Sequence, residues 1–143
     1  MAAPAFIRNL RAASPNGVQL HAAIGAAGVA TNDINLLTAA GNNVKLVAVA
    51  DVDLDRMLEV DLEERFPGVR IYQDFREMLA KEKDLDSVSV STPDHMHAPI
   101  AMTAMQHGKH VYVQKPMTYT VHEARALTEY AAKNTKLVTQ MGI

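Results

Sequence analysis

The sequence predicts an α/β protein built on one doubly wound parallel sheet of about six strands, with helices on both faces. Two observations carry that expectation. Short apolar stretches alternate with longer stretches of helical spacing, which is the pattern of a parallel sheet covered on both sides. The glycines, acids, hydroxyls and a Lys-Pro pair that interrupt the apolar periods fall just after the predicted strands. That is the edge at which open parallel sheets bind ligands.

The strand-like stretches are residues 18–24, 44–50, 69–72, 87–91, 110–113 and 137–139. Between them, Ile34, Leu37 and Ala40 share one face of a first helix, and Leu54, Leu58 and Leu62 mark a second. Ile100, Ala104 and Met105 mark another, and Val121, Ala124, Leu127 and Ala131 the last. Apolar residues recurring at three and four positions reach one side only in a helix. Thr120 followed by Glu123 makes a capping box at the last helix. Pro99 is expected in the first turn of the helix before it, where a missing N–H costs nothing. Residues 1–17 show no clear period and read as an arm, leaving 18–143 as the folded domain. The arm lacks the charged start and apolar run of a secretory signal.

Composition narrows the function. The chain has 143 residues, 48% hydrophobic and 21% charged, which suits a single globular domain. No apolar run reaches about 18 residues, so no membrane-spanning helix is expected. A net charge of −2 gives no electrostatic footprint for nucleic acid. Absence of cysteine excludes disulfides, thiolate nucleophiles and cysteine metal sites. Residues 51–86 hold twelve acids against six bases, while both flanks are net positive and better suited to an anionic ligand.

The residues after each strand carry the chemistry. After the first comes Gly25-Ala26-Ala27-Gly28-Val29-Ala30, close to the G-x-G-x-x-G/A pattern of dinucleotide-binding loops. Gly25 supplies freedom in φ for the tight turn, Ala27 stands where glycine admits a pyrophosphate, and Ala30 is small enough for helix to pack on strand. Gly28 and Val29 lead into the helix, whose positive end suits phosphate. The alternative is a plain strand-to-helix turn. After the second strand comes Asp51, near the spacing of about 20 residues expected of the acid that holds the adenosine ribose. Such a carboxylate repels a 2′-phosphate, so NAD is favoured over NADP. Its alternative role is a helix N-cap, which Asp53 could equally fill. Arg56, one turn further, reads as a solvated surface residue, with the edge of the adenine as the alternative.

After the fourth strand, Ser91, Thr92 and Pro93 precede Asp94-His95-Met96-His97. The hydroxyls and backbone there suit the wall beside the ribose or nicotinamide. The paired histidines, with His107 and His110, lack the spacing of a metal-ligand set, so no metal is expected. After the fifth strand comes Gln114-Lys115-Pro116. The Lys115 ammonium would face the cleft, where it could bond a ribose or substrate hydroxyl, and partial burial would suit it to acid–base work. Pro116 fixes the turn that aims it. A surface lysine in a turn is the alternative.

Two stretches together resemble the glucose–fructose oxidoreductase / inositol dehydrogenase / MocA family of nicotinamide-dependent sugar oxidoreductases. Residues 90–100, Val-Ser-Thr-Pro-Asp-His-Met-His-Ala-Pro-Ile, are similar to its T-P-N-x-x-H segment. Residues 108–116, Gly-Lys-His-Val-Tyr-Val-Gln-Lys-Pro, are similar to its E-K-P segment, with Gln114 in place of glutamate. The resemblance implies a Rossmann domain binding NAD, with Gly25 and Gly28 on the pyrophosphate and Asp51 on the ribose. It implies that Thr92, Pro93 and His97 form the cofactor-side wall, and that Lys115 is catalytic beside nicotinamide and substrate. The sequence departs from the pattern at Ala27 and Ala30, which thin out the glycines, and at Gln114, which removes a charge near Lys115.

In that family the sixth strand leads into a second domain that binds the sugar-like substrate. The resemblance therefore implies a cofactor domain with negligible turnover by itself, or the equivalent part of a related hydrolase that uses NAD transiently to cleave glycosides. A non-enzymatic module that self-associates as a homodimer is a third reading. Members with Thr-Pro-Asp-His are often exported by the twin-arginine route, so the resemblance is compatible with export as well as with a cytoplasmic location.

Overall fold

A computed structural model of the protein describes residues 17–143. The arm expected at 1–17 lies, apart from Gly17, outside the described residues. The elements are β1 (Gln19–Ile24), α1 (Val29–Leu37), β2 (Val44–Ala50), α2 (Leu54–Leu58), α3 (Leu62–Arg65), β3 (Arg70–Tyr72), α4 (Phe75–Lys81), β4 (Ser87–Val90), α5 (Asp94–Gln106), β5 (His110–Val113), α6 (Val121–Lys133) and β6 (Thr139–Met141). The strands form one sheet in the order β3-β2-β1-β4-β5-β6, and every pairing is parallel. The expected doubly wound sheet is thus the observed one.

Strands buried on both faces read as unbroken apolar runs, and alternation divides the core accordingly. Ala22, Ile24, Ala48, Val88 and Val90 pack with Met78, Leu79, Ile100, Met105 and Leu127 of α4, α5 and α6. Ala23 and Val49 pack on the other face with Ile34, Met57 and Leu62 of α1, α2 and α3. The capping box at α6 is present: Glu123 N–H donates to Thr120 Oγ1 at 3.2 Å, and Thr120 N–H donates to the Glu123 carboxylate at 2.8 Å.

Four local expectations fail. The second helix is two short ones, because Asp61 adopts φ 47° between them. Within α2 the expected face is the exposed one, Leu58 being 75% exposed while Met57 takes the buried place, and Leu62 is buried beyond the break. Pro99 is not in the first turn. Helix α5 starts at Asp94, so Pro99 is internal and leaves the His95 carbonyl without its helical donor. Ala40 lies beyond the end of α1 at Leu37. β6 lies two residues later than expected, since Leu137 N–H closes a turn onto Asn134 O at 2.9 Å and Val111 pairs with Thr139.

Two buried polar groups are structural. His21 on β1 is 3% exposed, with ring nitrogens 2.8 and 3.1 Å from the Ser87 and Ser89 hydroxyls of β4. Burial lowers its pKa to about 4. Lys109 donates from Nζ to the Lys83 and Leu85 carbonyls, each at 2.8 Å, and burial lowers its pKa too.

Candidate functional site

The strands end level. Ile24 is in register with Ala50 and Val90, and Val90 with Val113. The first residue beyond each strand still bonds its neighbour. Gly25 N–H donates to Ala50 O at 2.8 Å, Ser91 N–H to Ile24 O at 2.9 Å, and Gln114 N–H to Val90 O at 2.9 Å. Asp51 N–H reaches Tyr72 O at 3.1 Å. Asp51, Gly25, Ser91 and Gln114 therefore form one row along the C-terminal rim of the sheet. The sequence placed these residues on one sheet edge, and the strand order makes them neighbours there.

Gly25 has φ 93°, and a Cβ there would lie 2.4 Å from the Ser91 carbonyl oxygen. Its glycine answers both to the turn and to contact with the β4–α5 loop. Gly28 has φ 65° and is the N-cap of α1, with no side-chain cap. No side chain satisfies the amides at the start of that helix, the arrangement that suits an anionic ligand. The only non-glycine residues with positive φ among those described are Asn43 and Asp61, so alanine at Ala27 imposes no backbone strain. Ala30 is buried where α1 meets the sheet, as its small side chain requires. Val29 is exposed at the first helical position.

Asp51 is not the helix cap. Asp53 takes that role, accepting from Arg56 N–H at 3.1 Å. The Asp51 carboxylate instead accepts from Ala26 N–H at 2.9 Å and from Asp53 N–H at 3.1 Å. It ties the glycine loop to the β2–α2 turn and keeps lone pairs for further donors, since a carboxylate has about four acceptor sites. Arg56, read from sequence as a surface side chain, lies over the loop, with one guanidinium nitrogen 3.9 Å from the Cβ position of Gly28.

On the other half of the rim, Thr92 Oγ1 is buried with no hydrogen-bond partner. Buried hydroxyls in native proteins nearly always have one, so this hydroxyl is free to bond a ligand group. His97 is 1% exposed, its Nε2 2.7 Å from Thr92 O and its Nδ1 2.6 Å from Pro116 O. It binds the β4–α5 loop to the β5–α6 loop rather than a metal. Pro93 is the N-cap of α5. Lys115 is exposed, against the expectation of partial burial, and is joined to Pro116 by a cis bond.

Sequence reasoning missed Asp33. It lies on α1 and is 8% exposed, accepting from Ser91 Oγ at 2.6 Å and from Gln114 Nε2 at 3.1 and 3.2 Å. Its negative charge raises the pKa of Tyr112, behind the larger effect of desolvation. The available signal was position: Asp33 is three residues after Ala30 and shares the buried face with it.

Among the described residues no three His, Asp or Glu side chains gather as a metal site would need, and no helix is long and apolar enough to cross a membrane. A cavity of about 240 Å³ lined by Met105, Val111, Met117 and Leu127 lies on the α5–α6 side, and none of the rim residues line it.

The oxidoreductase family with an NAD-binding Rossmann fold matches residues 20–141. The chain belongs to that family. Glycosyl hydrolase family 109 protein 1 of Shewanella sp. (strain ANA-3) is 34% identical over 100 residues, 65% of this chain and 22% of its own length. GenD2 from gentamicin A biosynthesis, solved in complex with NAD, has a TM-score of 0.76 and 29% identity, over 87% of this chain and 34% of its own. The WlbA dehydrogenase of Chromobacterium violaceum, solved with NADH and UDP-GlcNAcA, has a TM-score of 0.75 and 25% identity, over 86% of this chain and 34% of its own. The chain thus spans about a fifth of the curated relative and a third of each solved structure. It is an NAD-binding Rossmann domain of this oxidoreductase family. The rim suits that cofactor through the uncapped start of α1, the spare acceptor sites of Asp51 and the unpartnered Thr92 hydroxyl.

Proposed function

We propose that this domain is the cofactor half of a sugar-type oxidoreductase. The carrying observation is the single rim that joins the Gly25–Gly28 loop, Asp51, Thr92 and Lys115. When bound, the nicotinamide exchanges hydride with a hydroxyl-bearing carbon of the sugar. Amides at the start of α1, with Arg56 above them, hold the pyrophosphate. Asp51 accepts from the adenosine ribose hydroxyls and disfavours a 2′-phosphate. Thr92 and Pro93 line the nicotinamide side, with His97 fixing the distance between their loop and that of Lys115. Lys115 takes or returns the proton of the reacting hydroxyl. Substrate binding falls to a second domain, so residues 18–143 bind NAD with negligible turnover alone. The sugar nucleotide held by the WlbA structure supports the substrate class.

A second reading, the NAD-dependent cleavage of a glycoside, is favoured by the name of the Shewanella relative. The same rim would serve it. The test titrates the chain with NAD, then follows NADH formation over a panel of sugars and inositols, and product release from aryl glycosides. Binding without turnover is expected. Robust NADH formation overturns the need for a second domain, glycoside cleavage favours the second reading, and failure to bind NAD overturns the proposal.

A further inference from the structure

Gln114 stands where the E-K-P pattern has glutamate, and Asp33 gives the substitution a physical reason. The Gln114 carboxamide Nε2 donates to both Asp33 oxygens, at 3.1 and 3.2 Å. Its Oε1 accepts from the backbone N–H of Lys115 at 2.7 Å. The two partners dictate the orientation: a carboxylate needs the NH₂ end and a backbone N–H needs the oxygen. Ser91 Oγ donates at 2.6 Å to Asp33 Oδ2, one of the two oxygens that Gln114 also reaches. Asp33 is buried, and none of the ion pairs found among the described residues includes it. A buried carboxylate without a cation depends on neutral donors such as these. A glutamate at 114 would set two carboxylates face to face, and like charges in a buried site are strongly unfavourable.

We propose that Asp33 and Gln114 are a matched pair of positioning residues. Asp33 holds the carboxamide with its oxygen toward the Lys115 amide, and so fixes the segment that carries Lys115. Ser91 couples the same pair to the β4–α5 loop, so both loops beside the nicotinamide share one anchor. The role of Lys115 rests on the proposed function; the matched pair itself rests on the hydrogen bonds. Polarity can be exchanged without loss of shape. In Asp33→Asn with Gln114→Glu, the new carboxamide donates to the new carboxylate, which still accepts from Lys115 N–H, while Ser91 donates to the carbonyl oxygen of that carboxamide.

The experiment compares the full chain, Gln114→Glu, and the double variant. Each is titrated with NAD and with ADP, and the ¹⁵N–¹H resonance of the Lys115 amide is recorded without ligand. ADP touches only the adenosine half, so a merely structural defect weakens both ligands alike. Gln114→Glu is expected to weaken NAD by about tenfold or more, the scale of one hydrogen bond to a charged group, and to leave ADP binding within about twofold. It should also shift the Lys115 amide. The double variant should restore the resonance, and NAD affinity to within about threefold. If Gln114→Glu does not fold, recovery in the double variant carries the same support. NAD affinity unchanged in Gln114→Glu, equal loss of ADP, or no recovery in the double variant overturns the pair. If the unmodified chain binds neither ligand, the proposed function fails while the amide resonance still decides the pair.

Discussion

Gly25→Ala separates two explanations of the glycine loop, one by ligand access and one by the fold itself. An alanine Cβ at position 25 would lie 2.4 Å from the Ser91 carbonyl oxygen and 2.8 Å from its carbon. Both are backbone atoms of the adjacent β4–α5 loop, so no rotamer change relieves the contact. The backbone also has φ 93°, a conformation that costs an L-residue on the order of 1–3 kcal/mol. Forcing atoms into a packed site adds roughly 1–3 kcal/mol. Together they predict about 2–6 kcal/mol of destabilisation. The control is Gly28→Ala, where the nearest atom is the Arg56 guanidinium at 3.9 Å, the end of a flexible side chain. Only the backbone penalty at φ 65°, ψ −124° applies there, roughly 1–3 kcal/mol. Urea denaturation of both variants, without ligand, measures the difference. Gly25→Ala should have the markedly lower midpoint at unchanged m-value. Equal midpoints would refute the claim that contact with Ser91, beyond the turn, requires glycine at 25.

Three other outcomes follow from polar groups in the core and on the rim. His21 has its pKa lowered to about 4 from 6.5 by burial, so the folded state binds fewer protons than the unfolded one. Its contribution is intact above pH 6.5 and is lost as pH falls toward 4, a change of about 3 kcal/mol by linkage; denaturation midpoints for His21→Gln should show that much less dependence over the same window. Lys109→Met leaves the Lys83 and Leu85 carbonyls without their donor, and chemical denaturation should show a loss of about 1–3 kcal/mol. Asp51→Asn keeps one acceptor oxygen for the two amides of Ala26 and Asp53, and titration should show NAD bound at least about tenfold more weakly, with the preference over NADP reduced.

Apolar runs and glycines made the sheet legible because a parallel strand buried on both faces leaves little room for polar residues. The ends at Ile24, Ala50 and Val113 were bounded correctly for that reason, the fourth strand stops at Val90, one residue short of the expected Ser91, and the residues following the strands mark the rim. The helices were less legible where one residue resets the phase. Asp61 at φ 47° splits the second helix, and no periodicity over Leu54, Leu58 and Leu62 reveals it. β6 is short and exposed, so burial left no pattern in its residues. At the site, Asp51, Thr92 and Lys115 were legible by position after a strand. Asp33 was not, because it sits on a helix and acquires its meaning from Ser91 and Gln114, which come from two distant strand ends. Arg56 was legible only as a charge, since its proximity to Gly28 depends on β1 and β2 being neighbours.

The central claim is most directly tested by thermal denaturation of this chain with increasing NAD, and in parallel with NADP. A ligand that binds only the folded state adds about 2.7 kcal/mol at a hundredfold excess over Kd. The account predicts a melting temperature that climbs by several degrees with NAD and far less with NADP at equal concentration. A melting temperature indifferent to NAD, or raised equally by both, would contradict it.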